Sequence, residues 1–355
     1  MSETPETLDA LIRVPAPSGY ETPAAEVWRE AASFGEVAAD VLGSSTVSVG
    51  VADDRPTVAI VGHIDEIGLF VSHVDDEGFV WFGPIGGWDP QNLVGQRVIV
   101  RGSGSAGGGE VAGVIGKKPI HLLEPDDRKK PAEIKSMHID IGAKDKDDAL
   151  KLVSVGDPAV LAAEPLNLPN GRLVSRSLDN RLGSYVALEV ARRINAGEDV
   201  PVGVVGCAVS QEEIGLFGSA TTGFSLNPDV GIAVDVTHAT DAPGISKQEN
   251  GDHALGSGPV IGRGSTLSPK VSALLRETAE AEGMDFTLEA SGRYTGTDAD
   301  SLQVARGGIA AGLVSIPLRY MHSTVEMISL DDVEGTIRLI EAFIRRLDPE
   351  ESFLR

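Results

Sequence analysis

The fold class follows from one stretch of the sequence, residues 202–213, VGVVGCAVSQEE. Its first part is apolar and β-branched, which predicts a central strand that is buried on both faces. Two glutamates, Glu212 and Glu213, come directly after this strand. Adjacent side chains of an extended chain point in opposite directions, so the two carboxylates can serve different tasks. Ligands of open α/β sheets bind at such strand ends, although a solvated loop with two charges explains this stretch equally well.

A pattern of alternating strands and helices is predicted for both ends of the chain. Its predicted strands are 56–62, 230–234 and 312–316, and its predicted helices are 184–195, 269–283 and 330–347. Such alternation of strands and helices predicts an α/β fold with a mixed central sheet flanked by helices.

The middle of the chain has a different texture. Short alternating segments such as residues 78–82 and 96–101 are separated there by glycine-rich turns. This pattern predicts a small β barrel or sandwich. We therefore expect an α/β domain, residues 1–73 and 166–355, that is interrupted by an inserted all-β domain, residues 74–165.

Composition narrows the classes of partner. The 355 residues carry a formal net charge of −23, which repels nucleic acid and anionic membranes, and no apolar run is long enough to cross a bilayer. The single cysteine, Cys207, excludes an intrachain disulfide, and the first six residues, MSETPE, are unlike a signal peptide. We expect a cytoplasmic protein that binds neither nucleic acid nor membrane.

Residues of the types that commonly ligate metals follow several of the predicted strands. They are His63, Glu212, Glu213, Asp235 and His322, with Asp179 just before a predicted helix. Each has an ordinary explanation when taken alone: a strand-end histidine, a helix N-cap, a loop carboxylate or a surface histidine. Taken together at one edge of a sheet, they suit zinc, cobalt or manganese, and are numerous enough for two ions. Asp65 is well placed to orient His63 or a catalytic glutamate.

Five motifs occur in order and carry a resemblance. They are HIDEIG (63–68), SLDNR (177–181), QEEIG (211–215), DVTH (235–238) and MHS (321–323), with YTGTDA (294–299) as a further match. In this order the chain resembles the TET-type dinuclear metallo-aminopeptidases, the glutamyl and deblocking aminopeptidase family that includes cellulase-M-like proteins. The resemblance covers nearly the whole chain, including the β insertion, and implies that the α/β domain has a zinc-peptidase-like fold.

The resemblance implies an aminopeptidase that removes N-terminal residues from peptides with two divalent ions, zinc before cobalt or manganese. It implies that His63 and Asp235 hold one ion, that Glu213 and His322 hold the other, and that Asp179 bridges them. It further implies that Glu212 is the general base, with Asp65 as its orienting partner. A cis peptide between Asp179 and Asn180 belongs to the same pattern, as does a homo-oligomer in which the β insertion forms dimers that assemble into a dodecamer.

Two other functions remain open at this point. An endoglucanase-type glycoside hydrolase would use Glu212 and a second carboxylate as an acid/base pair, but it leaves His63 and His322 without roles. A non-catalytic metal-binding scaffold on the same fold has no use for Glu212. The sequence leaves undecided the preferred N-terminal residue and the roles of His238 and Arg293.

Overall fold

The computed structural model describes residues 3–354, apart from the side chain of Asp127, so Met1 and Ser2 of the acidic N-terminal stretch lie outside the described residues. The strands are β1 (Glu36–Ala39), β2 (Ser45–Val49), β3 (Thr57–His63), β4 (Gly68–Val74), β5 (Val80–Ile85), β6 (Arg97–Gly102), β7 (Gly109–Lys117), β8 (Met137–Asp140), β9 (Pro158–Leu161), β10 (Leu166–Leu168), β11 (Arg172–Ser175), β12 (Gly203–Val209), β13 (Val230–His238), β14 (Val260–Gly264), β15 (Thr287–Ser291), β16 (Ala310–Leu318) and β17 (Glu326–Ser329). The helices are α1 (Glu6–Arg13), α2 (Thr22–Ala31), α3 (Lys146–Leu152), α4 (Leu178–Ala196), α5 (Phe217–Leu226), α6 (Lys247–Asn250), α7 (Pro269–Ala281), α8 (Ala299–Leu302) and α9 (Leu330–Arg346).

A mixed eight-stranded sheet forms the centre of the protein, in the order β1-β2-β12-β3-β13-β16-β14-β15. The inner strands β12, β3, β13 and β16 are parallel, whereas β2 is antiparallel to β12 and β14 is antiparallel to β16. The inner strands are buried along nearly their whole length because helices cover both faces. The predicted mixed α/β sheet is thus confirmed, and the C-terminal ends of its parallel strands meet at one edge.

Helices cover the two faces of this sheet unequally. Helix α4 lies against β3, β12 and β13, and α1, α2 and α9 pack around it, while α5 and α8 cover part of the other face. Helix α4 begins at Leu178, six residues before the predicted start at residue 184, and its first turn is kinked by the non-helical backbone angles of Asp179 and Asn180. Within residues 3–354, no helix combines the length and the apolarity that crossing a bilayer requires.

The inserted segment forms a closed six-stranded barrel, in the order β4-β5-β8-β7-β6-β9. The sequence left a barrel and a sandwich open, and the structure shows the barrel. Leu69, Val71, Val80, Val98 and Ile139 are among the apolar side chains that fill its interior. The barrel begins with β4 and ends with β9, and the division of the chain at residues 73/74 and 165/166 stays a prediction.

Two glycines let the start of α4 touch the backbone of the sheet. A Cβ atom at Gly62 in β3 would lie 2.1 Å from the carbonyl carbon of Gly183 in α4, and one at Gly183 would lie 2.3 Å from the Val234 carbonyl oxygen. The Asn180 side chain secures this contact, because its amide donates to the Val234 carbonyl at 2.8 Å and its oxygen accepts from the Gly183 N–H at 2.8 Å. The close approach places Asp179 beside the end of β3.

We expect Gly62→Ala to destabilise the protein by about 1–3 kcal/mol or more, because backbone atoms occupy the space that the new methyl group needs. Gly109→Ala is the matched control, since no atom lies within 4 Å of a Cβ there and its backbone is not left-handed. Thermal unfolding followed by circular dichroism measures the difference. Equal melting temperatures for the two variants would show that α4 is not held by this contact.

Candidate active site

The predicted metal ligands line one cavity of about 310 Å³ at the C-terminal edge of the parallel strands. The residues that line it include His63, Asp179, Glu212, Glu213, Asp235 and His322. They come from five places in the chain, and the meeting of the strand ends with the start of α4 brings them together. Asp65 lies buried below this group.

Asp179 lies between the two histidines. One of its carboxylate oxygens, Oδ1, is 3.2 Å from Nε2 of His63, and the other, Oδ2, is 3.4 Å from Nε2 of His322. Glu213 Oε1 is also 3.4 Å from His322 Nε2. The peptide between Asp179 and Asn180 is cis, which agrees with the pattern that the resemblance implies.

The ligand atoms form two overlapping groups. Atoms of His63, Asp179 and Glu213 lie within 4.8 Å of one another, and so do atoms of His63, Glu212 and Asp235. Mixed imidazole and carboxylate groups of this kind suit borderline divalent cations. The orphaned Oε1 of Glu213 supports the fit, because it is buried and has no hydrogen-bond partner among the described residues. The donor set therefore fits divalent metal ions.

Both histidines are oriented from behind, so that Nε2 faces the cavity. Nδ1 of His63 lies 3.2 Å from the backbone carbonyl oxygen of Asp65 and 3.4 Å from its Oδ1 atom. Nδ1 of His322 lies 2.8 Å from the carbonyl oxygen of Gly87, which belongs to the inserted segment. Such contacts fix the tautomer and the ring direction of histidines that bind metals.

Two buried carboxylates hold the backbone that carries the glutamate pair. Asp65 accepts the N–H of Glu212 at 3.1 Å and the N–H of Glu213 at 3.2 Å, and Glu21 accepts the N–H of Gln211 at 3.1 Å. Gln211 has a left-handed backbone, with φ of 57°. Three consecutive amides are thus anchored from one side, and the side chains of Glu212 and Glu213 extend into the cavity.

Other supporting residues were not found from the sequence. Glu326 accepts the backbone N–H of Asp179 at 3.1 Å and that of His322 at 3.0 Å, so it joins two ligand loops. Glu66 pairs with Arg176 and Arg181 in the buried interior. The spacing of Glu326 four residues after His322, and of Glu66 three after His63, was the only signal available. His238 is exposed and lines the cavity, and Arg293 is exposed outside it.

Burial and mutual repulsion raise the pKa values of three carboxylates that line the cavity. Burial raises the pKa of Glu212 to about 10, and the charges of Asp235, Asp298 and Glu213 add to this effect against the opposing charge of His63. Burial also raises the pKa of Glu213, and it raises the pKa of Asp235 well above its ordinary range. All three shifts favour the protonated carboxyl group, and a bound cation would oppose them.

Burial acts on the pKa values of the two histidines in the opposite sense, but the nearby carboxylates outweigh it. Burial alone would lower the pKa of His322, but Asp179 and Glu213 raise it to about 11. Burial is likewise outweighed at His63, where Glu212, Asp179 and Asp65 raise the pKa well above its ordinary value. Asp179 itself has a lowered pKa, because its contacts with the two histidines outweigh its burial. The carboxylates thus stabilise positive charge on the two histidines.

Comparison with known proteins gives one consistent family. Residues 43–339 match the M42 glutamyl aminopeptidase family. The lysyl aminopeptidase of Pyrococcus furiosus is 34% identical over 356 residues, which cover 97% of each chain. The TET aminopeptidase of the marine sediment archaeon Thaumarchaeota archaeon SCGC AB-539-E09 superposes with a TM-score of 0.90 at 36% identity, over 97% of this chain and 96% of that one. The TET1 peptidase of Pyrococcus horikoshii, which can assemble into a tetrahedron or a large octahedral shell, gives a TM-score of 0.83 at 31% identity, over 96% and 99%.

We expect binding of zinc or cobalt to the metal-free protein at pH 7 to release protons, because ligands with raised pKa values must lose them to bind. The affinity should therefore fall as the pH falls. Isothermal titration calorimetry in two buffers of different ionisation enthalpy measures the number released. The matched control is Glu212→Gln, which has one titrating group fewer and should release fewer protons. An identical binding enthalpy in both buffers would contradict the protonated state of the cluster.

Proposed function

The chain belongs to the M42 glutamyl aminopeptidase family, and from that premise we propose that it removes N-terminal residues from peptides in the cavity lined by His63, Glu212 and His322. Members of this family are peptide hydrolases that use divalent metal ions, and this chain is one of them. The proposal also specifies which residues act, how many metal ions they hold and which metal is bound. The main observation that supports it is the position of Asp179, with one carboxylate oxygen facing each histidine.

Two ions are proposed for this cluster. His63 and Asp235 would hold one ion and Glu213 and His322 the other, and Asp179 would be shared between them. The position of Asp179, with one carboxylate oxygen facing each histidine, supports this division, as does the buried Oε1 atom of Glu213, which lies 3.4 Å from His322 Nε2 and accepts no hydrogen bond among the described residues. The two candidate groups of ligand atoms share His63 and do not include His322. The mixed imidazole and carboxylate donors suit zinc, with cobalt and manganese as alternatives. Bound there, two divalent cations would polarise the scissile carbonyl and lower the pKa of an attacking water.

Glu212 is proposed as the general base. It takes a proton from the water and returns it to the nitrogen of the departing peptide. Asp65 positions it, because the Asp65 carboxylate accepts the N–H groups of both Glu212 and Glu213. Glu213 then reaches the His322 side of the cluster, while Oε2 of Glu212 lies 3.6 Å from Nε2 of His63. This separation supports different roles for the two glutamates.

The other two candidate functions are not favoured. A paired-carboxylate glycoside hydrolase needs no metal ligands, yet His63 and His322 both direct Nε2 at Asp179. The family match also disfavours it. A non-catalytic scaffold would not need Glu212 to line the cavity.

We expect Glu212→Gln to keep its metal content and to lose hydrolysis of aminoacyl chromogenic substrates by roughly 10²- to 10⁴-fold, because the amide cannot accept the proton. Metal content is measured by elemental analysis and turnover by steady-state kinetics. Glu77→Gln is the matched control, since Glu77 is exposed and does not line the cavity.

The ligand assignment is tested in the same series. His63→Ala and His322→Ala should each reduce the metal content per subunit, whereas Glu212→Gln should not. Full occupancy by two ions in either histidine variant would remove that histidine from the ligand set. Substantial residual turnover by Glu212→Gln would remove Glu212 from the role of base.

A large homo-oligomer is proposed as the working form. The P. horikoshii TET1 peptidase assembles into closed particles, and this chain has a barrel in the corresponding insertion. Large apolar side chains on or next to the barrel are exposed, among them Val114, Ile120 and Leu122, and these can be covered between subunits. The insertion, residues 74–165, is proposed to form the dimer, and six dimers the particle.

We expect sedimentation equilibrium to give a mass near twelve times the chain mass of 37.1 kDa, because the exposed apolar side chains of the barrel are proposed to be buried between subunits. Replacing Ile120 and Leu122 together by Ser should shift the population to smaller species. Val41→Ser is the matched control, since Val41 is also exposed but lies in the α/β domain. A wild-type mass of two chains would limit the assembly to a dimer.

A further inference from the structure

The cavity extends beyond the proposed metal ligands to a carboxylate that none of the proposed catalytic steps uses. Glu289 lines the cavity from β15, the edge strand of the central sheet. Its Oε1 atom accepts a hydrogen bond of 2.7 Å from the hydroxyl of Thr237. Thr237 comes two residues after Asp235, roughly 7 Å further along the strand β13. Glu289 is therefore one side-chain length away from the proposed metal cluster.

No lysine or arginine pairs with Glu289 inside the cavity. Glu289 takes part in no ion pair among residues 3–354, and no lysine or arginine lines the cavity in that part of the chain. Arg263 lines a separate cavity that Glu289 also borders. The neighbouring His253 does not supply a positive charge. Burial lowers the pKa of its imidazole, and the nearby carboxylate of Glu289 opposes that lowering only in part. His253 instead lies 2.7 Å, through Nδ1, from the hydroxyl of Thr287.

The wall between the cluster and Glu289 is suited to a long side chain. Val236 and Leu313 contribute apolar surface to it, and Ser315 and Thr237 contribute hydroxyl groups. A lysine or arginine side chain has an apolar stem with a charged end, so the stem can lie along Leu313 while the end stays polar. A short apolar side chain would fill the first part of this space and leave Glu289 without a partner.

We propose that Glu289 selects substrates with a cationic N-terminal side chain, lysine or arginine, by pairing with it at the far end of the cavity. The inference rests on the proposed function, because it takes the first peptide bond of the substrate to lie at the metal cluster. It also predicts that substrates with an N-terminal glutamate or aspartate are poor, since a second carboxylate would face Glu289 without a counter-charge.

A different role for Glu289 is separable by experiment. Every substrate has an α-ammonium group. If the Glu289 carboxylate bound that group, loss of the carboxylate would lower kcat/KM by the same factor for lysyl and leucyl substrates. If the carboxylate binds the substrate side chain, its loss lowers kcat/KM for cationic substrates alone. The ratio of kcat/KM values between the two classes distinguishes these roles.

The test uses the full-length, metal-loaded protein and the p-nitroanilides of lysine, arginine, leucine and glutamate. We expect wild type to prefer lysine and arginine, and Glu289→Gln to lower the lysine-to-leucine ratio of kcat/KM by about 10-fold or more. Glu289→Arg should reverse the order of lysine and glutamate. Glu277→Gln, at an exposed glutamate outside the cavity, is the control and should keep the wild-type ratio.

Binding without turnover gives a second readout. In the Glu212→Gln background, a lysyl dipeptide should bind more tightly than a leucyl dipeptide, and adding Glu289→Gln should remove the difference. An unchanged ratio and unchanged binding in the Glu289 variants would overturn the selection role while leaving the aminopeptidase intact. Absence of hydrolysis of all four substrates by the metal-loaded wild type would instead overturn the proposed function, and this inference with it.

Discussion

Burial of many carboxylates at one edge of the sheet is the constraint on which the rest of the structure depends. A buried carboxylate must gain hydrogen-bond donors, pair with a cation or keep its proton. Backbone amides satisfy Glu21, Asp65 and Glu326, and two arginines satisfy Glu66. The cavity carboxylates Asp179, Glu212, Glu213 and Asp235 face two histidines and one another. The protein thus gives Glu21, Asp65, Glu66 and Glu326 partners of their own, and we propose that cations and substrate compensate the carboxylates of the cavity.

The same constraint gives the two adjacent glutamates their different surroundings. Their amides donate to the two oxygens of one carboxylate, Asp65, so the backbone between them cannot rotate freely. Glu213 lies next to His322, and Glu212 lies next to His63. Because Asp65 also contacts the ring of His63, one buried side chain links the orientation of a proposed ligand to that of the proposed base.

The barrel contributes to the site as well as to the outer shape of the protein. The carbonyl oxygen of Gly87 orients His322, and a Cβ at the preceding Gly86 would lie 3.4 Å from Oε2 of Glu213. Any movement of the barrel relative to the α/β domain would therefore act on His322, the more exposed of the two histidines that are proposed as ligands. An interface built on the barrel would hold this histidine in place, which connects the proposed assembly to the proposed chemistry.

The sequence by itself determined the fold class, the presence of the β insertion and the edge of the sheet at which the proposed ligands meet. It could do so because buried strands have a local signature and the C-terminal ends of parallel strands share an edge. Only the tertiary structure decided that Asp179 faces both histidines, that Glu21 and Glu326 hold the ligand loops, and that Glu289 reaches the cavity. These contacts join residues that lie far apart in the chain, and a single carboxylate has the same local signature whether it is solvated or buried. The close approach at Gly62 and Gly183, which places Asp179, likewise depends on how a helix and a strand pack against each other.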